Sequence, residues 1–435
     1  MPRINAIEVV DVRFPTSATL AGSDAMHPDG DYSAAYVVLR TDSDLAGYGL
    51  TFTIGRGTDL CVLASRHLAD QLIGRDVDEL PAALGDIHRQ FVGDSQLRWL
   101  GPEKGVVHLA AAAVLNAVWD LVARRAGKPV WRLVADMEPR DLVAACDFRY
   151  LSDVLTREEA LTMLEQQAPS RAERIEELSR VGYPAYTSGP GWLGYSDERL
   201  RRLCREATAE GWQAIKIKVG ANIGDDKRRL AIAREELGPG GTLLIDANQV
   251  WDVPEAIAWV NELAQFAPLW IEEPTSPDDI AGHATIRAAV APVGVATGEH
   301  THNRVMFKQL LSARAIDYCQ IDSCRLASVN EIVPVLLMAA KFGVPVCPHA
   351  GGVGLCELVQ HMSIVDYVCV SGRLDGRLLE YVDHLHEHFT APVVIDQARY
   401  RLPEEPGYSA RMHPEAIATY RFPDGAYWRG ALERR

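Results

Sequence analysis

Positive charge is in short supply in this sequence: 44 Lys and Arg stand against 59 Asp and Glu, a net charge of −15 over 435 residues. That self-repulsion argues against a protein whose main partner is a nucleic-acid backbone or an anionic membrane surface. It leaves small anionic substrates open, because one bound metal ion reverses the field of a site. Paired cysteines are missing as well. Cys61, Cys146, Cys204, Cys319, Cys324, Cys347, Cys356 and Cys369 form no Cys-x-x-Cys, and most lie in apolar runs. Reduced, buried thiols in a cytosolic protein are expected. The first residues lack the apolar core of a secretory leader. The most apolar stretch, 108–123, carries Asn116 and Asp120, falls short of a bilayer span and reads as a buried helix. With 48 % hydrophobic and 24 % charged residues, a disordered or fibrous chain is excluded. The length allows two or three domains, for example a (β/α)₈ barrel of about 250 residues with a smaller companion.

The order of patterns supports such a division. Stretches 5–14, 32–40 and 45–54 predict strands of an antiparallel meander, and 57–73, 79–92 and 106–125 predict helices, the last stopped by Gly127-Lys-Pro129. Strands followed by helices describe an α+β unit, placed at 1–135. From there short β-rich runs alternate with helical patterns. Strands are predicted at 142–146, 214–219, 242–245, 269–271, 293–296, 318–321 and 344–347, with helices such as 253–266 and 328–342 between them. Repeated βα units make a parallel sheet, open or closed, placed at 136–385. Residues 149–200 break the rhythm and read as an insertion after the first barrel strand. The tail, 386–435, has no βα rhythm and is expected to pack back on the first domain.

Ionisable groups recur at the ends of these strands. Lys216 and Lys218 bracket Ile217; Asp246, Glu272, Glu299, Asp322 and His349 each close a β-rich run, at spacings of 23 to 28 residues. One such residue is most simply a solvated strand end. A ladder of six, each one βα step from the last, places them together on the C-terminal rim, where barrels build active sites. Asp246, Glu272 and Glu299 supply hard oxygen ligands with no thiol or paired imidazole, which suits Mg²⁺, or Mn²⁺ in its place. Asn248, two residues past Asp246, faces the same way and offers a neutral contact. Lys216 and Lys218 share a face of a strand that should be buried on both sides, where an idle lysine is costly. Asp322 accepting one imidazole N–H fixes the orientation of His349. Lysine on one side, histidine on the other and a divalent metal between them can remove a proton α to a carboxylate.

These residues resemble the enolase superfamily, in its mandelate-racemase-like branch. The motifs are Lys216-x-Lys218, Asp246-Ala-Asn248, Ile271-Glu-Glu-Pro274, Gly298-Glu299, Gln320-x-Asp322 and Pro348-His349, with Asn116-Ala-Val-Trp-Asp120 and Gly127-Lys-Pro129 in the first domain. A narrower likeness is to L-fuconate dehydratases, carried by Gly22-Ser-Asp24, Asp31-Tyr32, Asp246-Ala-Asn-Gln-Val-Trp251, Gly298-Glu-His300 and Cys347-Pro-His349, with Glu380 at a position where that group has a further site glutamate. His27 departs from the residue usual there.

The resemblance implies an α/β fold, a modified TIM barrel (β/α)₇β under an α+β capping domain. It implies Mg²⁺ on Asp246, Glu272 and Glu299, Lys218 as the base at C2 and Lys216 beside the substrate carboxylate. His349, held by Asp322, would protonate the departing 3-hydroxyl. Gly22, Ser23, Asp24, Tyr32, Asn248 and Glu380, together with Lys216, Glu299 and His349, would contact the substrate. The product would be a 2-keto-3-deoxy acid, and a homo-oligomer is expected. Rival readings are a dehydratase of another aldonate, a 2-hydroxy-acid racemase or epimerase, and a non-catalytic binding protein.

Overall fold

The computed structural model describes residues 1–101 and 103–432. Strands β1 (Ile4–Arg13), β2 (Ser33–Thr41) and β3 (Ala46–Thr53) form the antiparallel meander. Helices Thr58–Ala69 and Gly105–Arg125 pack on it, and Leu80–Gly93 packs on Gly105–Arg125. The last is 21 residues long, more than the 108–123 stretch alone suggests. It is apolar and long enough to cross a membrane, yet 83 % of that window is buried inside the protein. Its close seat on β3 needs glycine. A Cβ on Gly49 would stand 2.3 Å from the Ala117 nitrogen and 2.4 Å from the Ala113 oxygen.

The second domain begins differently from the sequence pattern. Residues 142–146, predicted as a strand, fall in helix Pro139–Ala145 and its C-cap. Pro139 presets the helical φ at the first turn, and Leu142, Val143 and Ala145 are buried along the helix, so local geometry overrides the β-rich composition. The 149–200 segment is therefore not an insertion after a strand. It holds helices Arg157–Gln167 and Arg171–Val181, then the first barrel strand β4 (Tyr183–Thr187), then helix Asp197–Ala209.

Strands β5 (Ala214–Lys218), β6 (Thr242–Asp246), β7 (Pro268–Glu272), β8 (Gly294–Thr297) and β9 (Tyr318–Cys319) follow, each parallel to its neighbour. The 344–347 run makes only a bridge, Val346 to Cys319. Strand β10 (Leu379–Tyr381) closes the ring. It pairs in parallel with β4, and its Glu380 N–H reaches the Pro348 carbonyl at 3.4 Å. Helices alternate with the first seven positions, whereas β10 leads into the short hairpin β11 (Ile395–Asp396) and β12 (Arg399–Tyr400), which pairs antiparallel with β4. The fold is a (β/α)₇β barrel with an α+β cap. Tyr186, Leu244, Trp270, Ala296 and Cys347 are among the side chains that fill its interior.

The tail touches both parts. The Met412 N–H donates to the Tyr36 hydroxyl at 2.9 Å, the Phe422 N–H to the Asp11 carbonyl at 2.9 Å and the Trp428 indole to the Arg13 carbonyl at 3.0 Å. The final three residues of the 386–435 segment lie outside the described residues. Cap and barrel are also joined by a buried ion cluster. Arg304, fully buried, contacts Glu103 at 2.6 Å, Asp147 at 2.8 Å and Glu331 at 3.1 Å, and Glu331 holds His108 of the cap at 2.7 Å.

Candidate active site

Parallel register builds the floor of the site. Lys218 is paired with Asp246 across β5 and β6, and Asp246 with Glu272 across β6 and β7. Neighbouring strands thus deliver three charged side chains at one level, and Glu299 joins them just past β8. Oxygens of Asp246, Glu272 and Glu299 all lie within 4.8 Å of one another. That is close to what one divalent cation spans at about 2.1 Å per oxygen.

Buried lysines answer these carboxylates. The Lys216 ammonium, 1 % exposed, lies 2.7 Å from Glu272, 2.8 Å from Glu380 and 3.4 Å from Asp246. Lys218 donates to Asp246 at 2.6 Å and to the Asn248 side-chain oxygen at 2.9 Å. Burial works against the charge of both. Glu272 and Glu380 around Lys216, and Asp246 beside Lys218, outweigh it and hold both ammonium groups above the ordinary lysine range. Negative charge still dominates the floor. Burial and the adjacent Asp246 carboxylate push the Glu272 carboxyl up to about 8, and the Glu299 Oε2 atom is buried without a hydrogen-bond donor. An all-oxygen donor set with one carboxyl forced towards its neutral form and one oxygen lacking a partner fits a hard divalent cation.

Across the mouth stands the histidine pair. His349 Nδ1 lies 2.7 Å from Asp322 Oδ2, and its Nε2 is 3.4 Å from Glu299. Burial alone would strip the imidazole of its proton. Glu299, the Asp322 hydrogen bond and Glu380 prevail and bring it up to about 9. Asp322 is itself held by the Cys324 and Arg325 N–H groups at 2.6 and 2.7 Å. Counting round the ring, Lys218 is on the second strand, the carboxylates on the third to fifth and His349 on the seventh. The ammonium and the imidazole therefore flank the carboxylate group. Glu380, on β10, accepts from the Ala350 N–H at 2.8 Å and from the Ser188 hydroxyl. Burial opposes its ionisation, but Lys216 and His349 keep it charged, down to about 2.

The cap roofs this floor and leaves a cavity of about 310 Å³. Gly22, Asp24, Tyr32, Lys218, Asn248, Glu299, Asp322, His349 and Glu380 line it. Two of the expected substrate contacts do not. The Ser23 hydroxyl turns inward to the Pro28 carbonyl at 3.5 Å. Lys216 is locked under the floor by its three carboxylates, away from the cavity wall. Gly22 has φ +82°, and a Cβ there would meet the Tyr32 ring at 2.3 Å, which explains glycine beneath that aromatic. Asp24 accepts the Met26 and His27 N–H groups at 2.8 and 2.7 Å and sits 3.2 Å from His27 Nδ1.

The cavity wall also holds residues outside the ladder of strand-end groups. His300 Nδ1 lies 3.0 Å from Glu273, 3.3 Å from Glu299 and 2.6 Å from the Gln249 amide. Burial opposes its charge, but Glu273 and Glu299 bring the ring up to about 10. Its position next to Glu299 was the available signal. Trp192, with the Lys218 ammonium 5.5 Å from its ring centroid, comes from the 149–200 segment read as an insertion. Gly191 lets that loop lie on β5, since a Cβ would fall 2.0 Å from the Lys216 carbonyl. Arg325, three residues past Asp322, carried no signal at all.

Residues 8–135 match the family model for the mandelate racemase / muconate lactonizing enzyme N-terminal domain, and residues 199–416 that for the enolase C-terminal domain-like family. The chain is 58 % identical over 431 residues to mitochondrial enolase superfamily member 1 of Xenopus laevis, covering 98 % of this chain and 97 % of that protein. It is 56 % identical over 425 residues to L-galactonate dehydratase of Hypocrea jecorina, covering 96 % and 94 %. The crystal structure of human mitochondrial enolase superfamily member 1 matches with a TM-score of 0.98 at 56 % identity, over 99 % of this chain and 98 % of that one.

Proposed function

Because the chain belongs to the enolase superfamily, with the mandelate racemase and muconate lactonizing enzyme N-terminal domain over an enolase-like barrel, we propose that it is a Mg²⁺-dependent acid-sugar dehydratase, a hydro-lyase. The observation that carries this reading is the pairing of an ammonium and an imidazole on two flanks of three converging carboxylates. Asp246, Glu272 and Glu299 would hold the metal. A divalent cation there supplies electrophilic stabilisation to the substrate carboxylate as negative charge builds on it.

The remaining work falls to the protein. Lys218 now shares its proton with Asp246 at 2.6 Å; with Asp246 engaged as a metal ligand, the Lys218 amine would be free to accept the C2 proton. Lys216, fixed by Glu272 and Glu380, keeps positive potential beneath the carboxylate without entering the cavity. His349 is protonated near neutral pH, and Asp322 fixes its Nδ1, so Nε2 presents a proton to the 3-hydroxyl. The C3–O bond breaks, water leaves and the enol tautomerises to a 2-keto-3-deoxy acid. Asn248, Asp24 and Tyr32 offer polar contacts to the hydroxyls, while Phe52, Ile54 and Leu109 of the cap cover the carbon chain.

L-Fuconate is the substrate we favour, on the motifs Gly22-Ser-Asp24, Gly298-Glu-His300 and Cys347-Pro-His349 and on Glu380. L-Galactonate has the same configuration and one more hydroxyl; the relative named L-galactonate dehydratase, 56 % identical, supports it as a second reading. A screen of acid sugars with Mg²⁺, scoring keto acid as the semicarbazone, tests the proposal. Keto acid from L-fuconate or L-galactonate is expected. Inversion at C2 with uptake of deuterium and no keto acid would make the protein an epimerase instead. Lys218→Ala and His349→Asn should each lower turnover at least about a thousandfold while the protein stays folded, as expected when a group acting in the transition state is removed. Comparable turnover by either variant removes that residue from its role.

A further inference from the structure

Six cationic or potentially cationic side chains line the cavity, and five have an acidic partner. His27 faces Asp24, Arg56 faces Asp29, Lys218 holds Asp246, His300 lies between Glu273 and Glu299, and His349 is fixed by Asp322. Arg325 is the exception. Among the described residues no carboxylate oxygen lies within 4.0 Å of its guanidinium. Its Nε donates to the Glu299 carbonyl at 2.9 Å and its main-chain N–H to Asp322 at 2.7 Å. The Nε bond orients the planar group, and among the described residues its Nη atoms have no protein acceptor. The preceding Cys324 carbonyl accepts from the Thr51 hydroxyl of cap strand β3 at 3.0 Å, and Cys61 of the cap helix Thr58–Ala69 lines the same cavity, which places Arg325 on the side that faces the cap.

Arg325 lines the cavity with donors that no protein group uses, so they are free to donate to a bound molecule. Lys216 and Glu380 mark the carboxylate end of the substrate, so the cap-facing wall meets the sugar's tail. Asp24, Glu299 and Glu380 share that cavity and disfavour a second anionic group. A neutral hydroxyl is the acceptor that fits. We propose that Arg325 is a specificity-determining residue that donates to the terminal hydroxyl of the acid sugar, so that the enzyme takes L-galactonate as well as L-fuconate. This rests on the dehydratase reading above.

The two acid sugars share every stereocentre and differ only by the 6-hydroxyl, so they isolate this contact. The test measures kcat/KM on each with the Mg²⁺-loaded wild type, R325M and R325K. In R325M the ratio of L-galactonate to L-fuconate should fall about tenfold or more, the worth of a hydrogen bond from a charged donor. R325K should recover part of the ratio, and it carries the test should R325M fail to fold. An unchanged ratio in both variants, with both substrates slowed alike, would mean that Arg325 only braces Glu299 and Asp322, and would overturn the inference alone. Turnover of neither acid sugar by wild type would overturn the dehydratase reading and this inference with it.

Discussion

His349 shows how neighbours decide a side chain's chemistry. Burial disfavours its charge, yet Glu299, Asp322 and Glu380 raise it to about 9. A group that acts as an acid must hold its proton, so turnover should fail as pH rises through that value. Asp322→Asn removes one stabilising charge and should move the alkaline limb of kcat down by about one pH unit or more. A limb that stays in place would show that Asp322 does not set the proton affinity of His349. Such residues were legible in the sequence because each closes a strand one βα step from the last. Arg325 and Trp192 were not, since they stand on loops whose direction depends on the Thr51 hydroxyl bond to the Cys324 carbonyl, 273 residues apart, or on Gly191 lying against β5. Ser23 illustrates the converse: its place in a motif was legible, but its inward turn to Pro28 was not.

Among the elements, the cap meander and the barrel strands from β5 to β9 matched their sequence patterns because burial and strand period agree there. Residues 142–146 did not. Val and Ala runs satisfy both periods, and Pro139 at the helix start tips the balance. This shifted the first barrel strand to Tyr183–Thr187, preceded by helices Arg157–Gln167 and Arg171–Val181. The contact of β3 with Gly105–Arg125 makes a sharper claim. Gly49→Ala puts a methyl onto helix backbone at 2.3 Å, and backbone yields less readily than a side-chain tip. A loss of about 1–3 kcal/mol in urea unfolding is expected, in line with overpacking a tight core. Gly57, with nothing within 4 Å of a Cβ, lacks that clash although its φ of +89° carries backbone strain of its own. A wild-type midpoint for Gly49→Ala would contradict the close-packing account.

On the scale of the whole molecule, the active site exists only while cap and barrel stay together, and buried charge helps to join them. Arg304→Met would leave Glu103, Asp147 and Glu331 without their shared cation and should cost about 3–5 kcal/mol. Urea unfolding measures this, and a loss below 1 kcal/mol would mean that the cluster is not a fastening. His88, buried beside the cluster, is lowered to about 4 by burial. The unfolded chain binds that proton more readily, so stability is lost as pH falls from about 6.5 towards 4, by on the order of 3 kcal/mol. Everything proposed for the chemistry depends, finally, on three carboxylates from consecutive strands acting as one cation site. Calorimetric titration of the metal-free protein with Mg²⁺ addresses it most directly. One ion per chain is expected for wild type, with binding weakened beyond detection in Asp246→Ala; equal affinity in the two proteins, or no binding by wild type, would contradict the account.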